Sequence, residues 1–376
     1  MIIFELSICC IYMMIVLLII LLLIISNYLF LHQAQFGKIS SGQRLEKIKQ
    51  SPNYRNGKFQ NLNPTRDLTE GATTFQVLRE YLFDKNENVR PLVSLPSVKN
   101  DLHTLNPLED VLVWFGHSSY FIQIDGKKIL VDPIFSGRSS PLKFTTKSFK
   151  GSDSYTADDI PEIDYLFLTH DHWDHLDYET VSKLRPKVKQ VITGLGVGAH
   201  LQHWGYANDI ISEYDWNEEA DLGNGFKVNT MPARHFSGRG LKRNQVLWMS
   251  FVLTTPCMKI YIGGDSGYDS HFKTIGALHG PLDLAILECG QYNKNWKYIH
   301  MMPEEVVQAA VDLKAKALLP VHWSKFALAH HDWDEPITRV IKECEKIDMP
   351  VYHPMIGDIL KLKELKACDR WWTSLR

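Results

Sequence analysis

The sequence predicts an α/β fold in which β-sheets are covered by helices, a layered sandwich, preceded by one N-terminal membrane-spanning helix. Three observations carry that expectation. Short β-rich runs recur from about residue 108 onward, helical patterns fall between several of them, and a 26-residue stretch near the N-terminus holds no charged side chain. The 376 residues are 45% hydrophobic and 22% charged, the composition of a globular chain with a substantial core. A net charge of −2 leaves no footprint for nucleic acid. Cys9, Cys10, Cys257, Cys289, Cys344 and Cys368 show no CxxC spacing, so they read as reduced thiols.

The uncharged stretch runs from Leu6 to Leu31. About 20 apolar residues suffice for a helix to cross a bilayer. A cleaved signal peptide would carry a basic leading region, a shorter apolar core and a small-residue cleavage site. Here Glu5 is the charged side chain ahead of the run, which closes on Tyr28, Leu29 and Phe30. An uncleaved anchor over 6–31 is therefore expected. Beyond it, Lys38, Arg44, Lys47, Lys49 and Arg55 stand against Glu46, an excess that predicts a cytoplasmic body.

Residues 32–107 read as a linker and lead-in, in which "SSGQRLEKIKQSPNYRNGKFQNLNPT" is polar and rich in turn formers, with much of it extended over a surface. Within it "TTFQVLREYLFD" spaces Phe75, Leu78, Tyr81 and Leu82 as one helix would. From 108 to 376 the texture is that of the folded body. "VLVWFGHSSYFIQIDGKKILVD" sets two β-rich runs around Asp125-Gly126, a hairpin signal. Strand-like runs follow at "YLFLTH", "KQVIT", "FKVNTM", "WMSFVLTT", "KIYIGGD", "DLAILE" and "KALLPVHW". Helical patterns occupy 178–185, 303–314 and 334–346, which yields sheets covered by helices.

The chemistry concentrates in "LTHDHWDHLD". His170, His172, Asp174 and His175 leave the end of a strand in the pattern H-x-H-x-D-H. Imidazole nitrogens and carboxylate oxygens suit zinc and its first-row neighbours. One ion could not use all four alongside further ligands, whereas two could. A helix cap accounts for Asp177 but not for three histidines within six residues. His235 after "FKVNTM", Asp265 after "KIYIGG" and His322 after "KALLPV" recur at strand ends, where Asp265 could bridge two ions.

H-x-H-x-D-H followed by a strand-end His, a strand-end Gly-Asp and a final strand-end His resembles the metallo-β-lactamase fold from about 108 to 360. The resemblance implies a four-layer αβ/βα sandwich with metals at one edge of its two sheets. It also implies His170, His172 and His235 on one ion, Asp174, His175 and His322 on the other, and Asp265 between them. "VWFGHSSYFIQIDGKKILVDPIFSGRSSP", "GDSGY", "HMMPEEVVQAAVDL" and "PVHWSKFALAHHDWDEP" are similar to the N-acylphosphatidylethanolamine-hydrolysing phospholipase D group, including its bacterial relatives. The ascorbate-6-phosphate lactonases lie nearby.

Two divalent ions, zinc first with manganese or iron as alternatives, would lower the pKa of a bound water to about 7 and clamp a scissile group. Asp174 is the candidate for holding that water's proton. Asp132 of "LVDPIF" is a carboxylate placed to fix a ligand histidine's tautomer, and His117 and His300 are candidates for supporting a ligand or touching substrate. The expected activity is a membrane-anchored, metal-dependent phosphodiesterase acting on an N-acylphosphatidylethanolamine-like lipid. A lactonase or carboxylic ester hydrolase acting on a small molecule is the alternative. A catalytically silent anchored binding protein is a third reading, disfavoured because all seven ligand positions are filled. Nothing in the sequence sets an oligomeric state.

Overall fold

The computed structural model describes residues 2–83 and 86–375. Helix α1, Ile2–Leu31, stands away from the body, and Ile11–Leu31 is long and apolar enough to cross a membrane, with none of it buried in the protein. Those 21 residues reach about 32 Å at 1.5 Å per residue, close to the thickness of a hydrocarbon core.

The lead-in is more ordered than its composition predicts. It forms α2 (Gly42–Gln50), a small hairpin of β1 (Tyr54–Arg55) and β2 (Lys58–Phe59), and α3 (Thr74–Phe83), the last as its apolar spacing predicts. The expectation of an extended strand of chain over 42–50 is therefore corrected. Helix α2 buries one apolar side chain, Ile48, but its polar residues are committed to the body. Arg44 Nε donates to Glu213 at 2.6 Å, and its other nitrogens reach Gln202 and Asn208. Composition registers such residues as solvated; only their partners reveal the docking.

The body holds two sheets. The first runs β3 (Val111–Trp114), β4 (Tyr120–Ile124), β5 (Lys127–Val131), β6 (Ile163–Leu168), β7 (Val188–Gly194) and β8 (Ile211–Tyr214), with helices α4 (Tyr178–Leu184) and α5 (Val197–His203) in the crossovers. The second is built from β9 (Glu219–Gly223), β10 (Phe226–Met231), β11 (Ser250–Thr254), β12 (Lys259–Ile262), β13 (Leu284–Glu288) and β14 (Leu318–Val321), with α6 (His271–His279), α7 (Pro303–Asp312) and α8 (Glu335–Glu345). Strand β15 (Ile359–Lys361) returns to pair with β3, so the orders are β15-β3-β4-β5-β6-β7-β8 and β14-β13-β12-β11-β10-β9.

Strand alternation explains the layers, because successive side chains point to opposite faces. In β6 Phe167 enters the core between the sheets, edge-on to Phe251 of β11 at 5.0 Å, while Leu166 and Leu168 face Val181 and Leu184 of α4. In β3 Trp114 and Val113 divide the same way. Helices α7 and α8 cover the outer face of the second sheet through Val306, Ala310, Ile337 and Val340. The result is the four-layer sandwich that the sequence predicts.

Residues 111–132 form three strands rather than two. Asp125 and Gly126 make the β4–β5 turn with φ of +46° and +74°, as a two-residue hairpin of the primed type requires. The extra break falls at Gly116-His117, both with positive φ, where the chain reverses between β3 and β4. Strands β8, β9 and β15 escaped the reading because they are four, five and three residues long and only partly buried.

Candidate metal centre

The first sheet delivers its polar residues from the ends of β5 and β6. After Leu168 the chain leaves the sheet, and Asp132, one residue past β5, accepts from the Thr169 amide at 2.9 Å and the Thr169 hydroxyl at 2.6 Å. This pins the start of the loop that carries His170, His172, Asp174 and His175. Asp177 then caps α4, accepting from the Glu179 amide, the capping role that its position suggested.

The second sheet brings one residue from each of three strand ends. His235 follows β10, Asp265 follows β12 and His322 follows β14. The glycines of "GGD" permit the approach: a Cβ on Gly264 would meet Met249 O at 2.6 Å and the Thr169 side chain at 3.0 Å. His117 (φ +53°), Asp132 (+39°) and His322 (+69°) all occupy the left-handed region, strain that a packed surround imposes at this site.

All seven residues named as ligands converge, joined by His117, in two groups of four whose ligand atoms each lie within 4.8 Å of one another. One group is His170, His172, His235 and Asp265; the other is His117, Asp174, His175 and His322. In the first, His172 Nδ1 lies 2.9 Å from His170 Nε2 and 3.1 Å from His235 Nε2. His235 Nδ1–H donates to Ile299 O at 2.8 Å, which leaves its Nε2 lone pair facing the cluster. Burial holds the pKa of each of these three imidazoles below its ordinary value, to about 4 for His172, so three neutral rings aim at one point.

In the second group His175 Nδ1–H donates to Asp132 Oδ2 at 2.7 Å, and His117 Nε2–H donates to Asp174 Oδ2 at 2.9 Å. Asp265 lies between the groups. Its Oδ1 is 3.1 Å from His175 Nε2 and 3.3 Å from His322 Nδ1, while Oδ2 is 3.9 Å from His170 and 3.7 Å from His235.

Whether divalent ions fit can be tested on these atoms. Although 3.1 Å apart, His175 Nε2 and Asp265 Oδ1 make no hydrogen bond, and they and His322 Nε2 are buried without a partner, a costly arrangement unless a cation sits among them. Burial disfavours charge on His175, yet the Asp265 and Asp174 carboxylates raise its pKa well above the ordinary value. Burial alone would likewise raise Asp174 and Asp265, but the neighbouring histidines hold both carboxyls well below their ordinary range. Positive charge is what this cavity lacks. The donor set of nitrogens and carboxylate oxygens suits zinc, manganese or iron.

His300 stands at the rim of both groups: it can share an ion with Asp265 and His322, and its Nδ1 is 3.6 Å from Glu288 Oε1. Glu288 was not singled out in the sequence, although it ends the strand "DLAILE" as Asp265 follows "KIYI"; burial raises its pKa to about 7. Ser118, 2.9 Å from His322 Nδ1, was also missed. A pocket of about 330 Å³ opens over His172, Asp174 and His235, with Phe236, Trp296 and Leu328 in its wall. Asp67 and Leu68 of the lead-in complete that wall, and Asp67 meets Arg243 across it at 2.7 Å. His331 turns inward as a structural residue, accepting from the Gln291 amide at 2.8 Å. Trp371 and Trp372 pack against Trp323.

Two stacked sheets with paired His/Asp clusters at the strand ends define a metal-dependent hydrolase of the metallo-β-lactamase superfamily, and the chain belongs to that family: residues 127–323 match the Beta-lactamase superfamily domain. An uncharacterised protein of Mycobacterium tuberculosis is 38% identical over 328 residues, covering 86% of this chain and 88% of that protein. The N-acyl-phosphatidylethanolamine-hydrolyzing phospholipase D 1 of Caenorhabditis elegans is 29% identical over 260 residues, 62% of this chain and 73% of its own length. Among solved structures, Igni18, a metallo hydrolase of Ignicoccus hospitalis, superposes with a TM-score of 0.52 at 19% identity over 67% of this chain and 97% of that one, a likeness of fold.

Proposed function

We propose that this chain is a membrane-anchored dinuclear metal phosphodiesterase of phospholipase D type acting on N-acylphosphatidylethanolamine-like lipids. The observation that carries the dinuclear reading is Asp265, whose two oxygens face two separate histidine clusters. His170, His172 and His235 would hold one ion, Asp174, His175 and His322 the other, with zinc the expected metal. When bound, such a pair supplies Lewis acidity and an activated water. Asp174 lines the pocket, ionised and oriented by His117, and is the group placed to take the attacking water's proton. Water oxygen bonds to phosphorus, the bond from phosphorus to the alcohol oxygen breaks, and the alcohol leaves with a proton.

The lipid substrate is supported by the apolar span beside the body, the aromatic and aliphatic pocket wall, and the likeness to the nematode phospholipase. Purified protein given N-acylphosphatidylethanolamine should release phosphatidic acid, and a chelator should abolish the release. No metal-dependent product would refute the reading. The pocket, about 330 Å³, lies near the small end of the range for ligand sites, which favours a lactone or small ester as the second reading. A panel of lactones separates the two. The excess of Lys38, Arg44, Lys47, Lys49 and Arg55 after the span supports a cytoplasmic body; its digestion by protease from the opposite face of sealed membranes would overturn that reading.

A further inference from the structure

The end of the membrane helix is not joined to the body by a loose tether. Gln35 O accepts from Arg239 Nε at 3.1 Å and Nη2 at 2.9 Å, and Trp204 Nε1 donates to Ala34 O at 2.7 Å. Phe36 stands edge-on to Trp173, inside the H-x-H-x-D-H loop, at 5.2 Å. Arg239 Nη1 also donates to Asp171 O and Leu176 O of that loop. The helix exit is thus fastened to the back of the metal loop.

At this junction lies a groove of about 640 Å³ that the metal site does not use. Its walls are apolar where the helix leaves the hydrocarbon, at Leu31, Phe36, Ile39 and Leu241, and its rim carries the ammonium groups of Lys38 and Lys242. Both lysines are exposed and have no carboxylate partner among the described residues. The acid in the lining, Asp171, is already engaged, accepting from the Gly238 amide at 2.7 Å with His200 Nε2 at 3.2 Å. Leu241 is 85% exposed, an unfavourable place for leucine in water. A second loop beside the exit repeats the pattern in Leu142-Lys143-Phe144, with Phe144 74% exposed; Gln35 Nε2 donates to Pro141 O at 2.9 Å to hold that loop close. Apolar tips beside lysines at the end of a span match an interface of acyl carbon below and phosphate above.

We propose that the groove at the exit of the membrane helix binds an anionic phospholipid, with Lys38 and Lys242 on its phosphate and Leu241 and Ile39 against its first acyl carbons. The proposal rests on the span lying in a bilayer and is independent of the substrate. Full-length protein in a non-ionic detergent, exposed to phosphatidylglycerol or phosphatidylcholine and read by native mass spectrometry, should retain the anionic lipid. The double variant Lys38→Gln/Lys242→Gln should weaken that retention about thirtyfold, at about 1 kcal/mol for each lysine and 1.4 kcal/mol per decade. Lys273→Glu, outside the groove, should change nothing. Should the double variant fail to fold, Lys242→Gln on its exposed loop should show a drop of about fivefold.

Equal retention of the two lipids, or undiminished binding by the folded variants, overturns the site. Displacement of the lipid by millimolar inorganic phosphate reassigns it to a free anion and overturns the lipid. Release of the chain from membranes by carbonate overturns the span and the proposal with it, whereas phosphatidic acid release reports on the catalytic reading alone.

Discussion

In the seven-stranded sheet one loop of six residues carries His170, His172, Asp174 and His175, whereas the six-stranded sheet contributes His235, Asp265 and His322 from three strand ends far apart in the chain. The first contribution is local, and its geometry follows from one turn pinned by Asp132. The second is a product of register: β11 pairs antiparallel with both β10 and β12, and β12, β13 and β14 run in parallel, so β10, β12 and β14 end at one edge. A local motif tolerates change elsewhere, while a site assembled by register depends on the packing of the whole sheet.

Asp265 joins the two halves, so its loss should have the largest effect. Asp265→Ala should take the bound metal from about two ions per chain to near zero and lower hydrolysis by a thousandfold or more, since several kcal/mol of charge stabilisation goes with the ions. Elemental analysis beside the phosphatidic acid assay reads both quantities. His175→Ala and His235→Ala sharpen the comparison, because each touches one cluster. Each should leave about half the metal of the parent, and loss of both ions from either variant would show that the clusters fill as one unit. Asp132→Asn should weaken metal affinity about 10- to 100-fold by loosening the His175 ring, measured by chelator competition.

Stability should follow the same division. Arg239→Met would leave the carbonyls of Gln35, Asp171 and Leu176 without their donor and should cost about 3 kcal/mol in denaturant unfolding, because charged hydrogen bonds are lost on the side of the local motif. The smallest effect belongs to His271 of the second half, where burial lowers the imidazole pKa to about 4. Between pH 6.5 and 4 the unfolded chain binds this proton and the folded chain does not, so stability falls as pH falls through that window. The expected loss from this group is about 1 kcal/mol between pH 7 and 5.5, and His271→Gln should remove it from the pH profile of unfolding.

Legibility followed the same line. H-x-H-x-D-H was conspicuous because spacing within a loop is sequence information, and the strand-end positions of His235, Asp265 and His322 were visible from the apolar runs before them. Glu288 was overlooked because one glutamate at a strand end has no local mark; only the fold places it beside His300. The lead-in misled for a physical reason. A polar stretch reads the same whether its side chains meet water or, as with Arg44 and Glu213, a half-buried partner. Its role in the pocket wall, through Asp67 and Leu68, depends on a path over the surface that no periodicity encodes.

The amino-acid sequence by itself determined the apolar N-terminal helix long enough to cross a membrane, the alternation that separates inner from outer strand faces, and the residue types able to hold metal, because each is a property of neighbours in the chain. Tertiary structure decided that Asp265 faces both clusters, that the lead-in walls the pocket and that the exit of the N-terminal apolar helix is fastened to the loop of residues 170–175. Those relations join residues tens to hundreds of positions apart, and they exist only once two sheets have stacked and brought their strand ends to a common edge.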